Sequence, residues 1–300
     1  MNFGHISAII TIMIWGTTYI STKILLTDFT PIEVLFFRFV IGIVALSIIY
    51  PYRLKMKNGK HHYLFLLAGL CGVTLYYLLE NIALTFTTAS NVGVISAMVP
   101  FFTAILTYYY LKSEPLRLNF FIGFILALIG IFLISFNGTA NFKVNPLGDL
   151  LAIAATLIWA IYSVITKKIS SYGYNTIQAT RRIFLYGILF MIPVLYLFDF
   201  KLGIERFAHP IYLFNIIFLG LGASAVCFVS WNLAIKKLGA IKASVYIYLV
   251  PVITVITAMI VLKEPLTWMA ALGTLLTLTG LFVSETKIIT KKKKDLVSSY

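Results

Sequence analysis

The hydrophobic residues of this chain run in long continuous stretches separated by short polar segments. Ten such stretches can be drawn, each close to the roughly 20 residues with which a helix crosses about 30 Å of hydrocarbon. Barrel strands would alternate apolar and polar residues, so helices are the predicted spanning form. The predicted spans are residues 6–26, 31–51, 63–84, 89–111, 118–136, 147–167, 177–198, 211–233, 240–262 and 266–284.

The second half of the chain repeats the first at matched positions. At an offset of 144 or 151 residues, the pairs include Trp15 and Trp159, Arg38 and Arg182, Asn81 and Asn232, and Pro100 and Pro251. A Glu-Pro-Leu segment at 114–116, followed by Gly123 and Gly130, returns at 264–266 with Gly273 and Gly280.

An odd number of spans in each copy makes the two copies antiparallel. The predicted fold is therefore an all-α membrane protein with ten transmembrane helices arranged as two inverted five-helix repeats. We assign the first repeat to residues 1–140, the second to 141–286 and a basic tail to 287–300. Such repeats are typical of secondary transporters, in which the site lies between the copies and access alternates between the two sides.

Composition and charge agree with a bilayer location. Hydrophobic residues (Ala, Val, Ile, Leu, Met, Phe, Trp, Tyr and Cys) make up 60% of the chain. Charged residues make up 11%, against about 25% in soluble domains. The net charge of +14 would suggest nucleic acid for a soluble protein, but eighteen of the twenty-four basic residues fall on one side if the N-terminus is cytoplasmic. This bias predicts a plasma-membrane protein with both termini in the cytoplasm and no nucleic-acid partner. The tail Lys291–Lys294 is expected to be attracted to anionic lipid.

Enzyme chemistry has little support in the sequence. The chain has no Walker loop or dinucleotide fingerprint, and its histidines lie at span ends or in loops without metal-ligand spacing. We therefore predict a protein that is not an enzyme, with no cofactor and no metal. A gradient or the substrate's own downhill flow would supply the energy. Cys71 and Cys227 fall inside predicted spans and are interpreted as packing residues.

Ionisable residues within a span cost about 2.5 to 3.5 kcal/mol by insertion scales, which makes each one a candidate functional group. Glu80 lies about 25 Å along the third predicted span, at 1.5 Å per residue. It shares a helical face with small residues such as Gly69 and Ala83, which indicates a cavity. A desolvated carboxyl group there is a candidate for loading and releasing protons. The alternative is a structural role, with Glu80 neutralising Arg38 or Lys23.

Arg38 and Arg182 are repeat mates near opposite ends of their helices, Arg38 about 10 Å below the outer end of the second span. We interpret them as candidates for stabilising the outer and inner closed gates in turn. The alternative is that each long side chain anchors its helix by reaching toward the interface. Glu33, near the start of the second span, is expected to be solvated.

Further polar and aromatic residues within the spans are candidates for contacting a substrate or lining its cavity. Buried amides at Asn81 and Asn232 need partners on other helices or water, so a structural role is the alternative for both. Pro100 and Pro251 are expected to bend their helices. With Glu80, the cavity candidates are Trp15, Thr18, Tyr76, Asn81, Asn91, Ser96, Trp159, Tyr162, Asn232 and Tyr248.

Several of these segments together resemble the EamA family, the ten-helix branch of the drug/metabolite transporter superfamily. The resemblance covers about residues 6–284. It rests on Trp15-Gly16-Thr17-Thr18-Tyr19 with Lys23, Arg38 after Pro31, Asn91 with Pro100, and the twin Glu-Pro-Leu segments with their trailing glycines. It implies a basket of two inverted halves around a cavity lined mainly by helices one, three, four, six, eight and nine. It also implies export of small metabolites such as amino acids or drugs. The second copy has Trp159-Ala160 in place of Trp15-Gly16, so no role of that glycine carries over.

The predicted function is a secondary transporter that exports a small organic metabolite by alternating access, with protons as a candidate coupling partner. Its partners are then a small-molecule substrate and the lipid bilayer, while the sequence does not indicate an oligomeric state. A sugar-nucleotide or phosphate-ester carrier of the same superfamily remains an alternative and would need cationic groups in the cavity. An intramembrane enzyme or an accessory subunit is the alternative from another class.

Overall fold

The computed structural model describes residues 3–87, 89–112, 118–136, 145–198, 200–262 and 268–285. Asn141 and the basic tail 287–300 lie outside these ranges, as do both Glu-Pro-Leu segments. Within the described ranges all regular secondary structure is helical, which confirms the all-α prediction.

The described residues of the first half form seven α-helices. They are α1 (Phe3–Leu25), α2 (Pro31–Ile49), α3 (His62–Gly69), α4 (Tyr76–Phe86), α5 (Ala89–Ser96), α6 (Val99–Leu111) and α7 (Leu118–Phe136). A π-helical segment, Leu70–Leu75, joins α3 to α4 without a break. A short 3₁₀ turn, Gly59–His61, precedes α3.

In the second half, the part that the structure describes forms seven more α-helices in the same order. They are α8 (Pro146–Ser171), α9 (Thr176–Leu197), α10 (Pro210–Ile217), α11 (Cys227–Leu238), α12 (Ala240–Val245), α13 (Leu249–Leu262) and α14 (Trp268–Glu285). The π-helical segment Phe218–Val226 joins α10 to α11, and the 3₁₀ turn Tyr246–Tyr248 joins α12 to α13.

Six helical units in the described part of the chain are long and apolar enough to cross a membrane. They are Phe3–Leu25, Pro31–Ile49, Gly59–Phe86, Pro146–Ser171, Thr176–Leu197 and Pro210–Leu238. Four shorter apolar helices, Val99–Leu111, Leu118–Leu133, Ala240–Ile253 and Ala271–Ser284, lie where the other four spans were predicted. The structure therefore confirms a multi-helix membrane architecture, with six helical units of spanning length and apolar helices at the other four predicted spans.

Local sequence explains where several helices begin. The Thr30 side chain accepts a hydrogen bond from the Glu33 backbone while the Glu33 side chain accepts one from the Thr30 backbone, a capping box ahead of α2. Asn145 and Asn175 cap α8 and α9 through their side-chain oxygens. Each cap satisfies backbone donors that would otherwise be left unpaired at the helix start.

Both halves interrupt their helices at matched positions. The π segment before α4 has a counterpart before α11, and the break at 97–98 before Pro100 has a counterpart in the 246–248 turn before the mated Pro251. A proline near the start of a helix leaves no backbone donor for the preceding turn, which explains an interruption there. The repeat seen in the sequence is thus also a repeat of helix irregularities.

The glycines of α7 and α14 pair in a crossed order. A Cβ at Gly280 would lie 2.5 Å from the carbonyl oxygen of Gly123, and one at Gly130 would lie 2.5 Å from that of Gly273. Gly123 therefore faces Gly280, although its own repeat mate is Gly273. Antiparallel helices related by a two-fold axis produce this crossed pairing. The small residues allow the two backbones to approach closely.

The two halves interlock instead of standing side by side. Helix α1 of the first half packs against α11 of the second, and the mate of α1, helix α8, packs against α4, the counterpart of α11. Helices α6 and α13 add a matching pair of contacts to α8 and α1. This crossed packing brings the centres of α1, α4, α8 and α11 together, and a cluster of aromatic rings from all four helices lies there.

Candidate functional site

A small enclosed cavity lies at the centre of the interlocked halves. The space open to the centres of water molecules is about 40 Å³, enough for roughly three waters. The first half contributes Trp15, Thr18, Tyr19, Tyr76, Tyr77, Glu80, Ser96 and Val99, and the second half contributes Trp159, Ile247 and Val250. We call this space the central cavity.

Aromatic rings form much of the wall. Trp15 and Trp159, which are repeat mates, meet edge to face with ring centroids 5.2 Å apart. The ring of Tyr76 lies 4.6 Å from that of Trp159. The Trp15 indole nitrogen donates to the Ala223 carbonyl oxygen at 3.1 Å, which fixes the ring orientation. A buried tryptophan with its N–H satisfied is a rigid apolar surface.

Glu80 is the acidic residue of the cavity wall and is 7% exposed. The Tyr76 hydroxyl, one helical turn earlier on α4, donates to Glu80 Oε1 at 2.5 Å. The described residues form one ion pair, between Arg206 and Glu33, so Glu80 is not paired with Arg38 or Lys23 in this conformation. The carboxyl group is thus held by a tyrosine and faces a cavity walled by aromatic rings.

Arg38 lies behind the cavity wall and is 1% exposed. Its guanidinium carbon is 4.2 Å from the ring centroid of Tyr77, and Nε donates to Ser224 Oγ at 3.0 Å. Nη2 has no hydrogen-bond partner. Arg38 therefore connects α2 to the π segment of the second half through a cation–π contact and one hydrogen bond.

Arg182, the mate of Arg38, has a different environment. It is half-buried near the start of α9, and Nη2 donates to the Leu54 carbonyl oxygen at 3.5 Å. Its guanidinium carbon is 5.7 Å from the ring centroid of Tyr186. The two predicted gate residues thus lie at different depths.

Three pairs of repeat mates line the central cavity together: Trp15 with Trp159, Ser96 with Ile247, and Val99 with Val250. The cavity therefore lies where the two copies meet. Thr18, Tyr19, Tyr76, Tyr77 and Glu80 line it without their mates, and all belong to the first half.

Other predicted cavity residues lie elsewhere. Asn81 is fully buried, and its Nδ2 donates to the Pro31 carbonyl oxygen at 3.1 Å, joining α4 to the first turn of α2. Tyr248 is buried in a separate cluster that includes Phe120 and Phe124 of α7. The 3₁₀ turn at 246–248 precedes α13 and places Ile247, not Tyr248, in the cavity wall. The side chain of Asn91 lies outside the described part of the structure.

Tyr162 and Asn232 form a polar chain of their own. The Tyr162 hydroxyl donates to Asn232 Oδ1 at 2.9 Å, and Asn232 Nδ2 donates to Thr180 Oγ1 at 3.0 Å. Asn232 also lines a second, smaller cavity of about 20 Å³ with Thr166, Tyr174 and others. The ring centroid of Tyr162 lies 4.8 Å from that of Trp159, so these bonds connect a residue next to the wall of the central cavity with one that lines the smaller cavity.

At the opposite end of the helices, Glu33 is bonded to a surface segment. Arg206 Nη1 donates to Glu33 Oε2 at 3.0 Å, and the Lys201 backbone donates to Oε1 at 3.1 Å. Glu33 is 1% exposed, so the expectation that it is solvated is wrong. The sequence placed Glu33 at a span end but did not show that residues 201–208 fold back over that end.

The central cavity has five lining residues that were not predicted from the sequence: Tyr19, Tyr77, Val99, Ile247 and Val250. Tyr19 follows Trp15 by four residues, so both lie on one face of α1, and this spacing was a usable signal. Val99 and Val250 directly precede the mated prolines. Among the described residues no group of three or more His, Cys, Asp and Glu side chains could hold a metal ion.

Comparison with known proteins identifies the family. The chain matches the sequence profile of the EamA-like transporter family over residues 2–136 and 146–286. It is 29% identical over 294 residues to an uncharacterized transporter of Archaeoglobus fulgidus, covering 94% of this chain and 97% of the relative. It is also 26% identical to an uncharacterized transporter of Clostridium kluyveri, covering 99% of this chain and 96% of the relative. A crystal structure 18% identical in sequence superposes with a TM-score of 0.74, covering 94% of this chain and 96% of that one, which shows a shared fold.

The two profile matches divide the chain much as the internal repeat does. Both relatives are named transporters, and the similarity extends over nearly their whole length. Apolar helices of spanning length, two interlocked copies and a cavity between them agree with that assignment. The chain belongs to the EamA-like transporter family and is a multi-pass membrane transporter.

Proposed function

We propose that this protein is a secondary transporter that exports a small organic metabolite, an amino acid or a drug-like amine, and binds it in the central cavity. The observation that carries the proposal is a single carboxylate, Glu80, within an aromatic wall where the two copies meet. A carboxylate attracts an ammonium group, and tryptophan and tyrosine faces stabilise both a cation and an apolar body.

The phosphate-ester alternative has less support. A sugar-nucleotide or phosphate-ester carrier would need cationic side chains in contact with its substrate. The lining residues described for the central cavity include no Lys or Arg, and the nearby Arg38 lies behind Tyr77. An intramembrane metalloenzyme would need a metal site, and the described residues provide no group of His, Cys, Asp and Glu side chains for one.

Alternating access follows from the size and place of the cavity. A volume of about 40 Å³ is too small for a metabolite, so substrate binding requires the halves to move apart on one side. We propose that the four shorter helices also cross the bilayer, giving ten spans in two inverted copies. Rocking of the interlocked copies would then open the cavity to each side in turn.

Glu80 is the proposed proton-coupling group. Substitution Glu80→Gln keeps the side-chain shape and one hydrogen-bonding oxygen, but it removes the titrating carboxyl group. In liposomes loaded with labelled amines or amino acids, we expect substrate exchange by Glu80→Gln to continue at a higher half-saturating substrate concentration, because the aromatic wall remains while the carboxylate is lost. Proton-driven accumulation should fall to background. The pH dependence of transport should flatten.

The matched control is Tyr76→Phe, which removes the donor to Glu80 and leaves the carboxyl group in place. It should retain proton-driven accumulation. Undiminished proton-driven transport by Glu80→Gln would exclude the coupling role. Recovery of a chemically altered solute would favour an enzyme, and loss of thermal stability in Glu80→Gln, rescued by removing a basic partner, would indicate a structural carboxylate.

The proposed location is the plasma membrane, with both termini in the cytoplasm, as the distribution of basic residues indicates. Asn58 and Glu205 are exposed and lie on segments assigned to opposite sides. In a background lacking Cys71 and Cys227, a cysteine at position 205 should react with an impermeant thiol reagent in intact cells. A cysteine at position 58 should react only after the cells are opened. Labelling of both from outside would contradict the orientation.

A further inference from the structure

A groove outside the central cavity lies between the end of α2 and the start of α9. The space open to the centres of water molecules there is about 500 Å³, more than ten times that of the central cavity. Its polar wall is formed by Arg53, Arg181, Arg182, Gln178 and Ser47. We call this space the basic groove.

Three guanidinium groups and no carboxylate are among the described lining residues of the basic groove. A site with this charge is complementary to an anion that carries more than one oxygen acceptor. Guanidinium groups also match phosphate in geometry, since their planar donors bond pairs of phosphate oxygens.

Hydrogen bonds from α9 hold the backbone segment that follows α2 against the basic groove. Arg181 Nη1 and Nη2 donate to the carbonyl oxygens of Tyr50 and Tyr52 at 2.5 Å each. Gln178 Nε2 donates to the carbonyls of Tyr52 and Arg53 at 3.2 and 3.3 Å. These bonds use only part of the five donors that each guanidinium carries. The bonds fix the position of the Arg53 backbone, while the Arg53 side chain is exposed and has no hydrogen-bond or ion-pair partner among the described residues.

The surroundings of the basic groove are apolar. On α2, Ile48 and Ile49 are 76% and 66% exposed, and on α9, Leu189 and Ile192 are 49% and 54% exposed. In a membrane transporter, exposed apolar helix faces of this kind contact acyl chains. A ligand that fits both the charged groove and these faces has an anionic head and hydrocarbon tails.

We propose that the basic groove binds the headgroup of an anionic phospholipid, with its phosphate against Arg53, Arg181 and Arg182 and its acyl chains along α2 and α9. The orientation proposed above would place the groove in the cytoplasmic leaflet, where basic pockets between helices bind such headgroups. Lipid binding itself does not depend on which solute is transported.

The test measures lipid binding without transport. Purified protein in a neutral detergent is heated with phosphatidylglycerol or with phosphatidylcholine of the same acyl chains. We expect phosphatidylglycerol to raise the melting temperature by several degrees more than phosphatidylcholine. Arg53→Gln should raise the phosphatidylglycerol concentration that gives half of this increase about fivefold. Combining it with Arg182→Gln should abolish the difference between the two lipids.

Lys55→Gln is the matched control, because Lys55 is an exposed basic residue of the same segment that does not line the groove. It should bind phosphatidylglycerol as the unmodified protein does, and Arg53→Lys should recover part of the affinity. Equal loss in Lys55→Gln would indicate diffuse attraction between charges and overturn the site. A full increase with inorganic phosphate alone would indicate a free-anion site, and equal effects of the two lipids would exclude anionic selectivity. Since no transported solute is present, failure here and failure of the export proposal are distinguishable.

Discussion

The two halves of the protein share their scaffold but differ in the side chains they place at its centre. Mates that pack helices are retained, such as the glycines of α7 and α14 and the valines before the two prolines. These valines and the retained pair Trp15 and Trp159 also line the central cavity, but other lining residues have different mates: Glu80 corresponds to Trp231, Tyr76 to Cys227 and Tyr77 to Phe228. The repeat has therefore preserved packing in both copies, while the polar chemistry of the cavity comes from the first.

Trp231 shows what this divergence does physically. It is fully buried, and its ring centroid lies 5.2 Å from that of Trp15. The equivalent position in the first half holds the smaller Glu80, beside open space. The large indole of Trp231 fills the volume that the two-fold relation would otherwise leave open on the second side. The central cavity is consequently one-sided, with a carboxylate on one flank and an aromatic filler on the other.

We expect the largest loss of stability from substitutions of the glycines that pair in crossed order between α7 and α14, because these glycines allow packing that both halves share. Gly280→Ala would place a Cβ 2.5 Å from the Gly123 carbonyl oxygen, and Gly130→Ala would place one 2.5 Å from that of Gly273. Overpacking of this kind costs about 1 to 3 kcal/mol, and backbone atoms on the partner helix have little freedom to move away. Both variants should lower the melting temperature by several degrees.

Gly93→Ala is the control for these variants, since a Cβ there meets nothing within 4 Å. It should leave the melting temperature unchanged or raise it slightly, because alanine favours helix. If Gly280→Ala and Gly93→Ala melt alike, close contact between α7 and α14 is not what holds the two copies together.

Arg38 and Arg182 should have opposite effects on access to the cavity if they stabilise opposite gates. Arg38→Ala should favour the outward-open form and Arg182→Ala the inward-open form, because the mates lie toward opposite ends of the inverted copies. The shift should be larger for Arg38, which is fully buried, than for half-buried Arg182. A cysteine placed at Thr18, labelled from either side in a background lacking Cys71 and Cys227, reports the change. A shift in the same direction for both variants would support helix anchoring instead.

We expect the smallest difference in melting temperature between substitutions of Asn81 and Asn232, the asparagines at equivalent positions of the two repeats. Asn232→Ala leaves the buried Tyr162 hydroxyl without its acceptor, which costs about 1 to 3 kcal/mol, and removes a donor to Thr180 Oγ1, which still donates to the Thr176 carbonyl oxygen. Asn81→Ala removes one bond to the Pro31 carbonyl and also removes Oδ1, which is buried without a partner. We therefore expect Asn232→Ala to lower the melting temperature more than Asn81→Ala does. The opposite order would mean that Asn81 has a partner in another conformation.

The sequence predicted the helices better than the site, for physical reasons. Long apolar runs and the repeat predict helices directly, because their signal is local or periodic. Trp15, Tyr76 and Glu80 were singled out as unusual residues within spans, and all three line the central cavity. Tyr248 and Asn81 were also unusual, yet they point elsewhere, since their direction depends on helix rotation near interruptions and on crossed packing between halves. Those quantities arise from tertiary contacts that a single sequence does not encode locally.

The π segment at Leu70–Leu75 has an evolutionary consequence. A π turn is equivalent to one residue inserted into an α-helix, and one residue corresponds to about 100° of rotation. Straightening this segment into a regular α-helix with the same number of residues would turn Tyr76 and Glu80 by about 100° away from Trp159, although no amino acid at the cavity had been exchanged. Among relatives of this protein, loss of one residue within this segment would therefore remove the π turn and keep both side chains facing the cavity, whereas loss of one residue in the regular helix α3 would turn them away from it.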